Sequence, residues 1–324
     1  MIRRLCHHNG NLVIHEGLPA PDEAIGSFLW LDVAQASAAE FDLLKARYGV
    51  DPNARIASFV EEGEFLYMRA RLVAPDDSQE PCFTPVQFVL GDTLLVTLHE
   101  SARFMPFDLA LMRLQRRPAL AGDVRSLLWM LLRAANDAAD LAIEAVSATL
   151  AKTSEQITAI SAGYGESGRE LGVSDLTSTL LELNDTHDLI SDCLESQLSL
   201  TRLVRHLGGE VDNQREAALQ QLVNELMGDV HSVKEHASFA HDKVRYLQGA
   251  VTSLLNIKQN QIVKVFTIIT AVFLPPTLVA TFYGQNFHVM PELAWKYGFS
   301  YSLGLTLVSA LLPLVYIKRK GWLR

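Results

Sequence analysis

Between Val265 and Ile317 the chain runs for 53 residues with only two charged side chains, Glu292 and Lys296. The other 63 of its 65 charged residues lie outside that window. A water-soluble body of ordinary composition does not segregate charge in this way. A helix crosses the hydrocarbon core of a bilayer with about 20 mostly apolar residues. Ile262 to Tyr283 offers 22 with Lys264 at its edge, and Tyr297 to Ile317 offers 21 with no charge. Two membrane spans are therefore expected, at 262–283 and 297–317, joined by a short loop at 284–296.

Positive charge gives the orientation. Lys318-Arg319-Lys320 follows the second span directly, whereas the loop holds one lysine, so the C-terminus is expected on the cytoplasmic side. Two crossings place the N-terminal body there as well. Residues 1–264 carry 23 basic and 36 acidic groups, an acidic body that excludes a dominantly nucleic-acid-binding surface. Met1-Ile2-Arg3-Arg4 is followed by Leu5-Cys6-His7-His8-Asn9 rather than an apolar run, so no cleavable leader is expected. Cys6, Cys82 and Cys193 are few and widely spaced, which fits a reducing compartment. Trp295, Tyr297, Tyr301 and Trp322 flank the spans, where amphipathic rings settle at the membrane interface.

Within the body, residues 28–33, 65–73, 86–90 and 94–98 are aromatic and branched runs separated by turn residues, and read as strands. A short helix is expected over 38–48. From about residue 105 apolar residues recur at threes and fours, and Ser126 to Val146 reads as an amphipathic soluble helix. The expected order is an α/β domain over 1–104, a helical hairpin over 105–214 turning near residue 165, and a stalk helix over 215–261. The first span, the loop, the second span and a basic tail at 318–324 complete it.

Three apparent motifs carry little chemistry. Gly163 to Gly168 fits GxGxxG but follows a helix, with no βαβ unit around it. His231, His236 and His241 are five apart, so one helix cannot aim them at one ion. Glu182, Asp185, Asp188, Asp192 and Glu195 form an acidic row without intervening Lys or Arg, which reads as a solvated face or as a cation-attracting one. No nucleophile–base or HExxH arrangement is present in the sequence, so no enzyme activity is expected.

The first span is polar on one side. Stepping about 100° per residue from Asn256, the residues Asn260, Val263, Thr267, Thr270, Leu274, Thr277 and Thr281 share one face, while Ile, Val and Phe occupy the others. Small hydroxyl residues serve helix–helix packing in membranes. They equally serve a wet path whose neutral oxygens suit hydrated divalent cations, with Val263 and Leu274 as apolar constrictions. One or two helices cannot enclose such a path, so that reading needs a cyclic oligomer. Pro275-Pro276 would free backbone carbonyls in mid-membrane.

Tyr283-Gly284-Gln285-Asn286-Phe287, then Met290-Pro291-Glu292-Leu293, a second span and a basic end closing on Gly321-Trp322-Leu323 resemble the CorA family of divalent cation channels. Phe273 to Ala280 is similar to that family's first-span signature. The resemblance implies an α+β cytoplasmic domain with long helices forming a funnel, two transmembrane helices, and a homopentamer in the inner membrane with both termini cytoplasmic. It implies divalent cation transport, of Mg²⁺ or Zn²⁺ with Co²⁺ and Ni²⁺ as further candidates, with the ion as cargo and no cofactor. The GxN motif, here Gly284, Gln285 and Asn286, would form the outer mouth, with Asn286 as the entrance ligand. Asn256, Asn260, Val263, Phe266, Thr267, Thr270, Leu274, Thr277 and Thr281 would line the pore. Gln285 stands where magnesium-transporting members have Met, and His288 close by would favour Zn²⁺, Co²⁺ or Ni²⁺. Besides Asn286 as the metal ligand of the entrance, Glu61, Glu62, Glu225 and Asp229 are candidates for the family's inter-subunit regulatory metal-binding carboxylates. The competing expectation is a membrane-anchored acidic scaffold or metal sensor without transport.

Overall fold

The computed structural model describes residues 2–8, 11–17, 29–51, 59–75, 81–118, 122–161, 172–211, 216–285, 288 and 290–321. Those residues divide into two compact units, one of 1–159 with 180–248 and the other of 160–179 with 249–324.

The first unit is built on a mixed seven-stranded sheet in the order β2-β1-β3-β7-β6-β5-β4. Its strands are β1 Ile2–His8, β2 Asn11–Glu16, β3 Trp30–Ala34, β4 Phe59–Glu62, β5 Phe65–Pro75, β6 Pro81–Leu90 and β7 Leu95–His99. Every pairing is antiparallel except the central β3–β7 pair, where Trp30 sits opposite Leu95 and Val33 opposite Leu98. That parallel pair is covered on both faces and all ten of its residues are buried, as parallel strands require. Alternation assigns the faces. Leu31, Val33, Tyr67, Val89 and Val96 pack with α1 Ala38–Tyr48 through Leu44 and Tyr48. Trp30, Met68, Leu72, Val86, Phe88 and Leu95 pack on the other side with Phe104, Phe107 and Leu111 of the segment leading into α2 Met105–Arg116. Helix α1 begins with a capping box between Ser37 and Glu40 and ends at Gly49, whose φ of 69° is the left-handed conformation a helix end favours in glycine.

Three long helices follow: α3 Val124–Ser161, α4 Val173–Glu210 and α5 Ala217–Tyr283. In α5 the buried positions Leu219, Val223, Leu226, Val230, Val233, Ala237, Ala240, Val244 and Leu247 alternate strictly by four and three. That is the 3.5-residue repeat of a coiled-coil seam. Helix α3 departs from the amphipathic reading of Ser126 to Val146. Leu127, Leu128, Trp129, Met130, Leu131 and Leu132 are all buried in succession, because this end of α3 belongs to the core that also contains the sheet, α4 and α5. Only beyond residue 135 does a buried stripe replace burial all round. Strands β1 and β2 were not legible as strands in the sequence, since β1 mixes Arg3 and Arg4 with Leu5 and Cys6.

A polar chain threads the core. Trp30 Nε1 donates to Thr97 Oγ1 (2.9 Å), Thr97 donates to Asp32 Oδ1 (2.6 Å), and Arg3 donates to Asp32 Oδ2 through both Nη2 (2.6 Å) and Nε (3.1 Å). Arg3 also bonds Asp108 of α2, which pairs with Arg103. His99 Nε2 lies 3.2 Å from Asp32 Oδ1, a close polar contact whose angles fall short of a well-formed hydrogen bond. Burial works to raise the Asp32 carboxyl, but His99, the Arg3 charge and Thr97 outweigh it and hold it below its ordinary 3.8. Among the described residues all three cysteines are free, and burial pushes the Cys193 thiol up to about 12.

A carboxyl lowered by folding contributes its stability in full above its unfolded pKa and loses it as pH falls through the folded value. The protein should therefore lose stability below pH 3.8 more steeply than Asp32→Asn, as followed by urea unfolding of the purified full-length chain. Equal slopes in the two proteins would contradict the role of Asp32.

Candidate functional site

The second unit contains the hairpin ends of α3 and α4, the second half of α5, a 3₁₀ turn at Pro291–Ala294 and helix α6 Gly298–Arg319. Both apolar segments lie in helices long and apolar enough to cross a membrane, with mean hydropathy of 2.0 and 1.7 in their most apolar windows. Those windows are almost wholly uncovered by the rest of the chain. Val263, Phe266, Ile269, Phe273, Leu274, Leu278 and Phe282 of α5, and Phe299, Leu307 and Leu312 of α6, are all exposed. A contiguous apolar surface of this extent is incompatible with water on all sides and needs lipid or further protein against it.

On α5 the structure keeps the polar face open. Asn256, Asn260, Val263, Phe266, Thr267, Thr270, Leu274, Thr277 and Thr281 are all exposed, whereas Ile268, Ala271, Val272, Pro275, Val279 and Tyr283 on another face are half-buried. The threonines share one geometry. Thr267 donates to Val263 O (2.7 Å), Thr270 to Phe266 O (2.9 Å), Thr277 to Phe273 O (2.6 Å) and Thr281 to Thr277 O (2.7 Å). Each hydroxyl proton is thus committed to the carbonyl four residues back. What remains on each oxygen is acceptor capacity, directed away from the helix. A row of outward acceptors with no outward donors favours cations and water protons over anions.

Pro275 and Pro276 lie inside the helix, which continues through them to Tyr283. Lacking N–H groups, they leave the carbonyls of Ala271 and Val272 without their usual backbone donors, on a different face from the threonine row. Helix α5 ends where Gly284 N–H bonds Ala280 O (2.9 Å) and Gln285 N–H reaches Phe282 O (3.4 Å). A Cβ at Gly284 would stand 3.1 Å from Ala280 O, so the glycine is fitted to this turn. Gln285 and His288 are exposed, while Asn286 and Phe287 fall outside the described residues. Trp295 packs against Tyr297 and Tyr301 at the start of α6.

The proposed regulatory carboxylates do not converge. Glu61 and Glu62 are exposed on β4, Glu225 accepts from Gln221 on α5, and Asp229 is exposed. Among the described residues no three His, Cys, Asp or Glu side chains are grouped to hold a metal ion. The acidic row of α4 is exposed on one face, and Glu195 pairs with Arg71 (3.1 Å). Partial burial, together with Glu195 and Asp188, raises the Asp192 carboxyl despite Arg71. Sequence reasoning missed two side-chain groups that depend on helix packing. His187 of α4 meets His241 of α5 edge to face at 4.7 Å, and four arginines gather around Trp129.

A mixed sheet, long helices and two apolar spans with a threonine-lined face define a two-span membrane protein with a large polar body. The model of the CorA-like Mg²⁺ transporter protein family matches residues 26–319, and the chain belongs to that family. It is a family of transporters, not of enzymes. The chain is 31% identical over its full length to the full length of a "Magnesium transport protein CorA" from Haemophilus ducreyi. Its fold matches the complete structure of the CorA magnesium transporter from Methanocaldococcus jannaschii, with a TM-score of 0.72 at 15% identity over 99% of this chain and 98% of that one. It also matches the ZntB cytoplasmic domain from Vibrio parahaemolyticus, with a TM-score of 0.56 at 13% identity over 79% of this chain and 98% of that one.

The Gly284 turn gives a direct check. Gly284→Ala should force the Ala280 carbonyl to move and lower the melting temperature of the detergent-purified protein, at a cost on the order of 1 kcal/mol. An unchanged melting temperature would show that the turn tolerates a side chain.

Proposed function

We propose that this chain forms a homopentameric channel in the inner membrane, with both termini cytoplasmic, that conducts Mg²⁺ along the threonine face of α5. The observation that carries this reading is the shared geometry of Thr267, Thr270, Thr277 and Thr281, each donating backwards and presenting an oxygen outwards from an exposed, otherwise apolar span. The name of the Haemophilus ducreyi relative supports Mg²⁺ as the ion. One such helix encloses nothing, so several copies must bring their stripes together. A ring of neutral oxygens accepts hydrogen bonds from the water shell of a hard divalent ion, which gives up that shell reluctantly. Val263, Phe266 and Leu274 interrupt the row with apolar rings, where an unhydrated column of side chains would close the path by dewetting. Gly284, Gln285 and Asn286 form the outer mouth, their amides receiving the hydrated ion before it meets Thr281 and Thr277. Asn260 and Asn256 continue the row at the cytoplasmic end.

Charge supplies attraction and direction. The body of residues 1–264 is strongly acidic, so cations gather on its side of the membrane. Lys318, Arg319 and Lys320 at the end of α6 support a cytoplasmic C-terminus. An inside-negative potential of 100 mV favours inward movement of a divalent ion by about 4.6 kcal/mol. No bond is made or broken, and Mg²⁺ is cargo. Glu61, Glu62, Glu225 and Asp229 would serve as regulatory ligands only through a neighbouring copy, since among the described residues of one chain no three such side chains gather to hold an ion.

Vesicles reconstituted with the protein and filled with a fluorescent metal indicator test this. Under an inside-negative potential Mg²⁺ should enter, and Thr277→Val should slow entry by about tenfold, the cost of one lost acceptor per ring position. Thr277→Ser should retain most of the rate, and Asn286→Ala should abolish it. Absence of flux for Mg²⁺, Zn²⁺, Co²⁺ and Ni²⁺ alike from intact oligomers would sink the transport reading. Movement of Zn²⁺ alone would remove magnesium from it.

A further inference from the structure

Within the acidic body, four arginines are concentrated around a single cavity. The last turn of α2 carries Arg113 and Arg116, its cap is Arg117, and Arg133 projects from the third turn of α3. Together they line a cavity of about 550 Å³, within the size range of small-molecule sites. Its wall is Trp129, buried and anchored by an Nε1–H bond to Leu222 O of α5 (2.7 Å). The Arg133 guanidinium stands 5.3 Å from the Trp129 ring centroid, a cation–π arrangement that fixes it at the cavity edge.

Charges in the cavity do not balance. Arg113 is held by Asp137 (2.6 Å), whereas among the described residues no carboxylate pairs with Arg116, Arg117 or Arg133. Four guanidiniums less one carboxylate leave three positive charges around one cavity. Arginines at the end of α2 are partly accounted for by its C-terminal carbonyls, which favour cations. That explanation does not reach Arg133, which comes from the third turn of α3, far from any helix C-terminus, and lines the same space.

We propose that this cavity is a binding site for a small soluble anion carrying a di- or triphosphate. A guanidinium is a planar fork that takes two oxygens of a phosphate at once. Three unpaired forks ask for more oxygens than one phosphate offers, and a diphosphate or triphosphate supplies them with a charge of three or four to match. The indole wall holds Arg133 and Asp137 holds Arg113 in place before the anion arrives, which limits the ordering cost of binding for those two. The site lies in the first unit and uses no residue of the α5 polar face, so its occupation is separable from ion conduction.

Calorimetric titration of the purified full-length protein tests the proposal, in EDTA so that no metal bridges the anion to the acidic surface. Pyrophosphate and ATP should both bind, adenosine should not, and affinity should fall steeply as KCl is raised. Arg133→Gln should weaken pyrophosphate binding by about tenfold or more, and the surface pair Arg116→Gln with Arg117→Gln should do the same without touching the buried Trp129. Arg133→Lys, which keeps the charge and loses the fork, should fall between. Oligomer size and melting temperature identify variants that fold. Absence of pyrophosphate and ATP binding to the parent protein would overturn the proposal, as would unchanged affinity in folded Arg133→Gln and Arg116→Gln/Arg117→Gln.

Discussion

A threonine in the middle of an apolar helix has one hydroxyl proton and nowhere in hydrocarbon to place it. In α5 that proton goes back to the carbonyl one turn earlier, and the same solution is used at Thr267, Thr270, Thr277 and Thr281. This removes the donor and leaves the acceptor. The polarity of the exposed face is thereby made one-sided, and hydroxyl groups that could have glued helices together through either role are left able to accept alone. Much of the functional reading rests on this. Asn256 and Asn260 extend the row, but the threonines give it direction.

The remainder of the architecture positions and supports that helix. The buried four-three repeat from Leu219 to Leu247 locks the first part of α5 into a coiled-coil-like seam, so the helix begins in a rigid setting. The sheet contributes a core whose most buried pair, β3 and β7, also carries the Asp32 network. Arg3, Asp32, Thr97 and Asp108 come from the first strand, the third, the seventh and the first helix after the sheet. A network with members so far apart in sequence ties the ends of the α/β fold together, and every link in it that is broken leaves a buried polar group unsatisfied. Its stabilising role is local to the first unit.

Much of this was legible in the sequence, and what was not has physical reasons. The spans announced themselves because hydrocarbon tolerates no charge, and the polar stripe because a helix repeats on a known period. The short helix at 38–48 was expected among the strands, and the structure closes it with the Ser37–Glu40 box and Gly49. Strands β1 and β2 were hidden because a strand with Arg3 on a buried network and Cys6 on the other face has no clean alternation. The run from Leu127 to Leu132 was misread as amphipathic, since a sequence does not show that the sheet, α4 and α5 all converge on it. The backward donation of the threonines was likewise invisible, for residue identity gives a hydroxyl but not where its proton points. The arginine cavity and the His187–His241 contact depend on which helices become neighbours. Asn286, the motif's principal residue, lies outside the described residues, and its part in the mouth remains the family's pattern applied to this chain.

Water access along α5 decides the central claim more directly than any rate. In a background with Cys6, Cys82 and Cys193 replaced by serine, single cysteines at Thr267, Thr277 and Thr281 are compared with single cysteines at Ile268, Val272 and Val279, using a small charged thiol reagent on the membrane-embedded oligomer. Such reagents require a thiolate, and a thiol ionises only where water reaches it. The account predicts rapid modification of the three stripe positions, slowed by Mg²⁺, and little at the other three. Equal modification of both sets, or protection of the stripe positions from the reagent in the absence of metal, would contradict it.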